Sequence, residues 1–455
     1  MRLRTMLRLG ACGLALGMLS MPAMADTTEE LLKQLKAKGI LSEAEYQALA
    51  TRKAEETKAA PAAAPSSGRA IEASDSGVGF KVGGVNVNFA GSINGFYVHD
   101  NPDSAGATKT VVGGLASVGG NETSSVRNGL LPGFLKVDVT TQQAGWDVGA
   151  HFGMYPGINS VSWAGGANSG GSPTALSTAG IDFRQTYLTF AKKGFGEVKI
   201  GRDIGLFGSD AILSDVTLLG VGTAAGNAAP SNTSLGRIGL GYIYTDFQPQ
   251  ITYTTPDMNG FKLSAGIFQP LATAGQNELN DTPGFQAKAS YDVKSGGMTA
   301  RLWAGFLSQD HDPAVAGGPD YKGTGYDVGA KVGFGDASLL GYYYTGEGIG
   351  TTGLFILSTD AAGNKRDSDG FYVQGSYKID KLTLALSYGE SRLDLAKGEV
   401  NPTLLDSNKS WVAAAHYGLT DWVTLVGEYI NTKAEAQGPN SAKSDTIALG
   451  AILFF

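Results

Sequence analysis

The sequence predicts an all-β fold: a closed, sixteen-stranded antiparallel transmembrane β-barrel preceded by a short α-helical hairpin. Three observations carry this. Segments of about ten residues alternate apolar with small or polar side chains, the period that sorts them onto two faces of a sheet. Thus Phe371, Val373, Gly375, Tyr377 and Ile379 share one face, and Tyr372, Gln374, Ser376 and Lys378 the other. Tyr326 to Phe334, Phe285 to Tyr291 and Leu382 to Tyr388 behave alike. Connections then alternate in length: seven short turns (142–145, 192–196, 257–260, 294–297, 335–336, 380–381, 420–421) separate eight long polar stretches. The long ones are 101–129, 156–180, 204–236, 271–282, 309–322, 348–366, 393–408 and 434–442, and together they join sixteen strands. Finally, 66 Gly with 18 Tyr and 19 Phe in 455 residues suits turns and strands better than helices. A soluble sandwich has no reason to segregate short and long connections so regularly. A barrel in lipid does, because only closure satisfies every backbone group there.

Taken in order, residues 1–25 read as a secretory signal peptide. Arg2, Arg4 and Arg8 form the positive region, Leu14 to Leu19 an apolar stretch, and Ala23-Met24-Ala25 the cleavage site. Cleavage there also removes Cys12, the single cysteine. Residues 26–57 turn rich in Leu, Ala, Lys and Glu. Leu31, Leu32 and Leu35 fall at helical spacing, Gly39 reads as a stop, and Ser42 with Glu45 forms a capping box that opens a second helix. This segment resembles the short helical oligomerisation motif found ahead of several barrel families. Residues 58–78, with "AAPAAAPSSG", read as a flexible linker, and the barrel occupies 79–455. Strand aromatics Trp146, Tyr187, Phe261, Tyr291, Tyr388, Trp411 and Tyr429 read as interfacial girdles.

Composition closes other routes. One Cys and four scattered His argue against a metal cluster or disulfide framework, so no metal and no cofactor is expected. A formal charge of −7 without a basic stripe argues against nucleic acid. Mean hydropathy is −0.05, unlike a bundle of membrane helices. The GxGxxG at Gly348–Gly353 lies in a long loop with no helix after it, so it is not read as a nucleotide site. Asp310-His311-Asp312 and Asp367-Ser368-Asp369 read as solvated loop acids.

The chain ends "TIALGAILFF", with Ile447, Leu449, Ala451, Leu453 and Phe455 on one face. This resembles the signal read by barrel-assembly machinery, so Leu449, Leu453 and Phe455 are candidate assembly residues. "RQTYLTFAKKGFGEVKIGRDIGLFGSDAILSD" (184–215) and "LGRIGLGYIY" (235–244) are similar to the Gram-negative trimeric porins, where paired strands lead into a third loop and a strand follows it. The helical extension is similar to that of substrate-selective members, the DcaP type among them.

The resemblance implies an outer-membrane channel for passive diffusion of small hydrophilic solutes and ions, without a catalytic step. It further implies a homotrimer among outer-membrane lipid and lipopolysaccharide, helices on the periplasmic side, and a third loop folded into the lumen. Arg184, Arg202 and Arg237 match basic residues of the pore constriction, and Asp210 and Asp215 its loop acids. Leu218 and Leu219 stand where a second loop acid belongs. Alternation adds Lys136, Lys262, Lys288, Arg301, Lys331 and Lys378 to the lumen wall, against Asp138, Asp147, Asp292, Asp327 and Glu428. The lumen is thus expected to be mildly basic and to favour anions such as carboxylates. The rival readings are a structural or adhesive barrel plugged by its loops and, further off, a barrel enzyme.

Overall fold

The computed structural model describes residues 36, 42–43, 45–49, 71–74, 77–161, 178–224, 233–315 and 318–455. The expected signal peptide lies outside them. The chain divides into two units, 1–70 and 71–455.

Within the first unit, residues 36, 43 and 45–49 are helical. Ser42 and Glu45 form the capping box: the Glu45 amide donates to Ser42 Oγ at 3.3 Å and the Ser42 amide to Glu45 Oε2 at 2.9 Å. Lys36 folds against this second helix, 2.7 Å from Glu43 and 4.7 Å from the Tyr46 ring centre. The remainder of the hairpin lies outside the described residues.

The second unit is one antiparallel sheet. Its strands are β1 (Ile71–Ala73), β2 (Val78–Val82), β3 (Val85–Pro102), β4 (Thr123–Arg127), β5 (Phe134–Gln143), β6 (Trp146–Val161), β7 (Thr178–Lys192), β8 (Gly196–Ile204), β9 (Phe247–Thr254) and β10 (Phe261–Phe268). There follow β11 (Gly284–Ser295), β12 (Met298–His311), β13 (Tyr321–Phe334), β14 (Ala337–Glu347), β15 (Asp367–Ile379), β16 (Leu382–Leu393), β17 (Leu405–Gly418), β18 (Val423–Ala436) and β19 (Ser441–Phe454). From β5 onward each strand pairs with the next, and β19 returns to pair with β3 from Phe454↔Ser92 to Ser444↔Pro102. The barrel is closed. Since β4 and β5 share one position beside β3, the wall has sixteen staves.

Side chains sort as the alternation requires. Leu339, Leu386, Leu449, Val328, Val373 and Tyr377 are exposed on the outer face. Gln286, Ser387, Ser410, Asp327, Glu428 and Thr446 are buried on the inner one. One expected girdle residue departs from this. Tyr187, next to exposed Leu188, turns inward and stacks on His151, with ring centres 4.6 Å apart. Around Trp146, by contrast, Phe190, Phe195 and Tyr253 build an aromatic cluster at the short-turn end.

Three features differ from the sequence reading. Strand β1 and the first residue of β2, Val78, lie within the stretch expected to be linker; β2 pairs with Val85–Phe89 on the β3 edge that β19 covers further along. Residues 128–133 leave the wall, because Pro132 has no amide to give and Gly129 permits a close approach. Asparagine side chains replace the lost ladder there: Asn94 Oδ1 accepts from the Gly129 amide at 3.0 Å, and Asn128 Oδ1 from the Ile158 amide at 2.7 Å. Finally, 235–244 is no wall strand but a turn-rich segment inside the barrel, and the next stave begins only at Phe247.

Candidate pore constriction

The third loop leaves β8 at Gly205, and its described parts, 205–224 and 233–246, run inside the barrel. Its path is fixed by wall side chains that accept from its backbone amides. Gln286 Oε1 takes Leu206 and Phe207 at 2.8 and 3.0 Å. Asp327 Oδ2 takes Gly208 at 2.5 Å, and Gln374 Oε1 takes Val216 at 2.8 Å. Glu428 Oε2 takes Val221 and Gly222 at 2.6 and 3.0 Å. Gly208, with φ 71°, supplies the left-handed turn that starts α1 (Ser209–Ser214). Asp215 then caps a 3₁₀ turn, Val216–Leu219, by accepting from the Thr217 amide at 3.0 Å. The loop therefore sweeps along the wall from β11 to β18, and Gly220 O accepts from the Leu130 amide of the inturned segment at 2.8 Å.

Apolar packing dries this side of the lumen. Phe207, Ala211 and Ile212 of the third loop, Ile238, Tyr242 and Ile243 of its return, and Ile349, Leu354 and Phe355 of the loop after β14 share one core. Wall residues Trp303, Leu307, Leu340, Tyr342, Tyr344 and Tyr372 complete it. Leu213 escapes, 58% exposed on the free flank of α1.

The charged cluster lies under α1. Asp210 sits 2.7 Å from both Lys288 Nζ and Arg301 Nε, and Arg301 Nη1 is 2.7 Å from Asp292. Burial disfavours the Asp210 carboxylate, but the two cations outweigh it and hold its pKa below the ordinary value. Lys331 lies directly across from Arg301 in the β12–β13 register.

Residues 49–437 match the sequence model of the Gram-negative porins. The chain belongs to that family. Its fold is shared by the outer-membrane channel DcaP of Acinetobacter baumannii, at 19% identity and TM-score 0.61, over 82% of this chain and 98% of that one. An anion-selective porin from Comamonas acidovorans is similar too, at 16% identity and TM-score 0.56, over 82% of this chain and all of its own (100%). The trimer form of OmpT from Vibrio cholerae follows at 15% and 0.50, over 82% and 99%. No curated sequence matches. This porin forms an outer-membrane channel, and its family and fold are those of a non-enzymatic protein.

Within the porin, the residues expected at the constriction scatter. Asp210 meets Lys288 and Arg301 as described. Arg237 is fully buried: its Nη1 donates to Ser410 Oγ at 2.9 Å, and its Nε stands 3.9 Å from Asp215, which also accepts from Tyr242 at 3.0 Å. Arg237 and Asp215 therefore lock the loop and its return together instead of facing water. Arg202 does not enter the lumen. It shares a row with Thr186 and Pro249, next to exposed Leu188, Ile200 and Ile251, and so lies on the outer face. Arg184 sits at a bulge where β7 carries one residue more than β6, its guanidinium 5.4 and 6.0 Å from the Tyr155 and Phe247 ring centres. On the wall, Lys136 lies over Phe134, and Lys262 is 3.7 Å from Asp257 at the short-turn end.

Sequence reasoning passed over Gln286, Gln374 and Lys294. Both glutamines alternate onto the inner face, but nothing local marks them as loop anchors; their partners lie 79 to 160 residues away. Lys294 read as part of a tight turn, whereas it pairs with Thr299 on the inner face.

Proposed function

We propose that this porin is a homotrimer that passes small hydrophilic solutes by diffusion, favours anions such as carboxylates, and narrows between the third loop and the facing wall. The observation that carries the anion preference is unequal neutralisation of inner-face charge. Asp292 is paired with Arg301, and Asp327 and Glu428 are buried against the third loop. Of the five inner-face acids, only Asp138, hydrogen-bonded to His151, and Asp147, hydrogen-bonded to Gln142, lack a cationic Lys or Arg partner or cover by the loop. Lys136, Lys331 and Lys378 have no ion pair among the described residues. Fixed charge acts on a permeating ion at close range, while loop acids beyond about 10 Å are screened at 0.1 M salt. The similar channel from Comamonas acidovorans is described as anion-selective, and OmpT was obtained in a trimer form. Residues 26–57 would stand in the periplasm, where two short helices gain stability by bundling across three copies. Leu449, Leu453 and Phe455 would be the assembly signal, in contact with lipid.

The test is the reversal potential of single channels across a KCl gradient. The expected sign is that of chloride permeating faster than potassium; a potassium-selective channel would overturn the preference. Absence of step currents would favour the plugged barrel, for which the dry core inside the lumen speaks.

A further inference from the structure

Below the third loop, toward the short-turn mouth, the inner wall carries a cleft of about 330 Å³. Strand register explains its shape. One row runs Asp292–Arg301–Lys331–Leu340, and the next runs Lys294–Thr299–Gly333–Ser338. Thr299, Gly333 and Ser338 are small, so the second row is a depression; a Cβ at Gly333 would come within 2.8 Å of Thr299 Oγ1. Cations ring it: Arg301 and Lys331 above, Lys294 at one side and, at the other, Lys378, whose amide donates to Asp336 O at 2.9 Å. Only Arg301 is neutralised, by Asp210 and Asp292. Lys294, Lys331 and Lys378 have no ion pair among the described residues, and Asp336 is the only other carboxylate on the rim.

Like charges directly across an antiparallel pair repel, yet Arg301 faces Lys331 here. A concave wall bearing three unpaired ammonium groups is suited to a ligand that brings two or more negative charges at once. Chloride can satisfy one ammonium group; a multivalent anion satisfies several without paying entropy for each separately. We propose that this cleft is a holding site for multivalent anions on the periplasmic side of the constriction. It rests on the anion-preferring pore inferred above and adds a place where such an anion pauses. Polyphosphates and polycarboxylates share the required chemistry.

Full-length protein in planar bilayers, with inorganic pyrophosphate or tricarballylate added on the short-turn side, tests this. The wild type is expected to show interruptions of chloride current with at least one of the two, and the responding probe identifies the anion class. Lys331→Gln with Lys378→Gln should raise the half-blocking concentration about tenfold or more, the loss expected of a charge-assisted contact. Open-state chloride current should fall in this variant too, because both lysines contribute to the anion preference, so block is read as a fraction of each channel's own open current. Lys331→Arg with Lys378→Arg should keep the block, which guards against misfolding as the cause. Equal block in wild type and the Gln variant, or no block in a channel that is still chloride-selective, overturns the site and leaves the anion preference standing. A potassium-selective wild type removes both.

Discussion

Single side chains decide whether a charge in this barrel faces the solute or the loop. Arg237 was expected at the constriction because its spacing matches a basic residue there, but the strand expected to carry it is absent. Its segment folds inward, so the guanidinium is sealed against Asp215 and Ser410. Arg237→Ala should therefore leave ion selectivity unchanged and destabilise the protein by about 3–5 kcal/mol, because it strands a buried carboxylate. The midpoint of thermal unfolding in detergent would register this; a selectivity shift at unchanged stability would refute the assignment. Glu428 offers a cleaner pair of variants. Glu428→Gln keeps an oxygen for the Val221 and Gly222 amides, whereas Glu428→Leu leaves two buried donors unsatisfied and should lower stability by about 2–5 kcal/mol. Asp210 predicts the pH response. Its pKa is lowered in the folded channel, so its stabilising contribution is complete above the ordinary carboxylate value, near 4, and is lost only as pH falls through the lower folded value. Current noise from a loosened third loop should be absent at pH 5 and appear only below the ordinary carboxylate range. Noise appearing already near pH 6 would point to another group.

At the level of elements, legibility followed the range of the interactions. Staves with polar interiors and oily exteriors were readable because a two-residue period is local, and Ser42 with Glu45 was readable because a capping box spans three residues. The inward course of 235–244 was not, since alternation alone does not distinguish a lipid-facing strand from a segment packed into a dry lumen. Arg202 was misplaced for a related reason: a match to a family position outweighed the phase of Ile200, whose exposure shows which way that row points. The break at 128–133 was visible as Leu131-Pro132-Gly133, yet its purpose depends on Gly220, some ninety residues away. A side chain at Gly129 would collide with Gly220 O and come within 2.8 Å of Phe96. Gly129→Val should thus push the third loop off the wall and change single-channel conductance by tens of per cent, while Gly341→Ala, with nothing within 4 Å of its Cβ, should change nothing. Equal conductance in both would show that the inturned segment does not brace the loop.

Across the whole molecule, the seam between β19 and β3 sets conditions that neither strand reveals alone. Thr446 donates to Asp100 across 346 residues of chain, and Phe455 exchanges both backbone hydrogen bonds with Gly91 at 3.1 Å. Ordering so long a span before its ends reward each other makes closure a late event. Until the last stave arrives, β3 presents a bare ladder of amides and carbonyls to whatever strand comes near. A chain interrupted before residue 441 would therefore yield a sticky open ribbon instead of a narrower pore, and quality control during export has an all-or-none product to inspect.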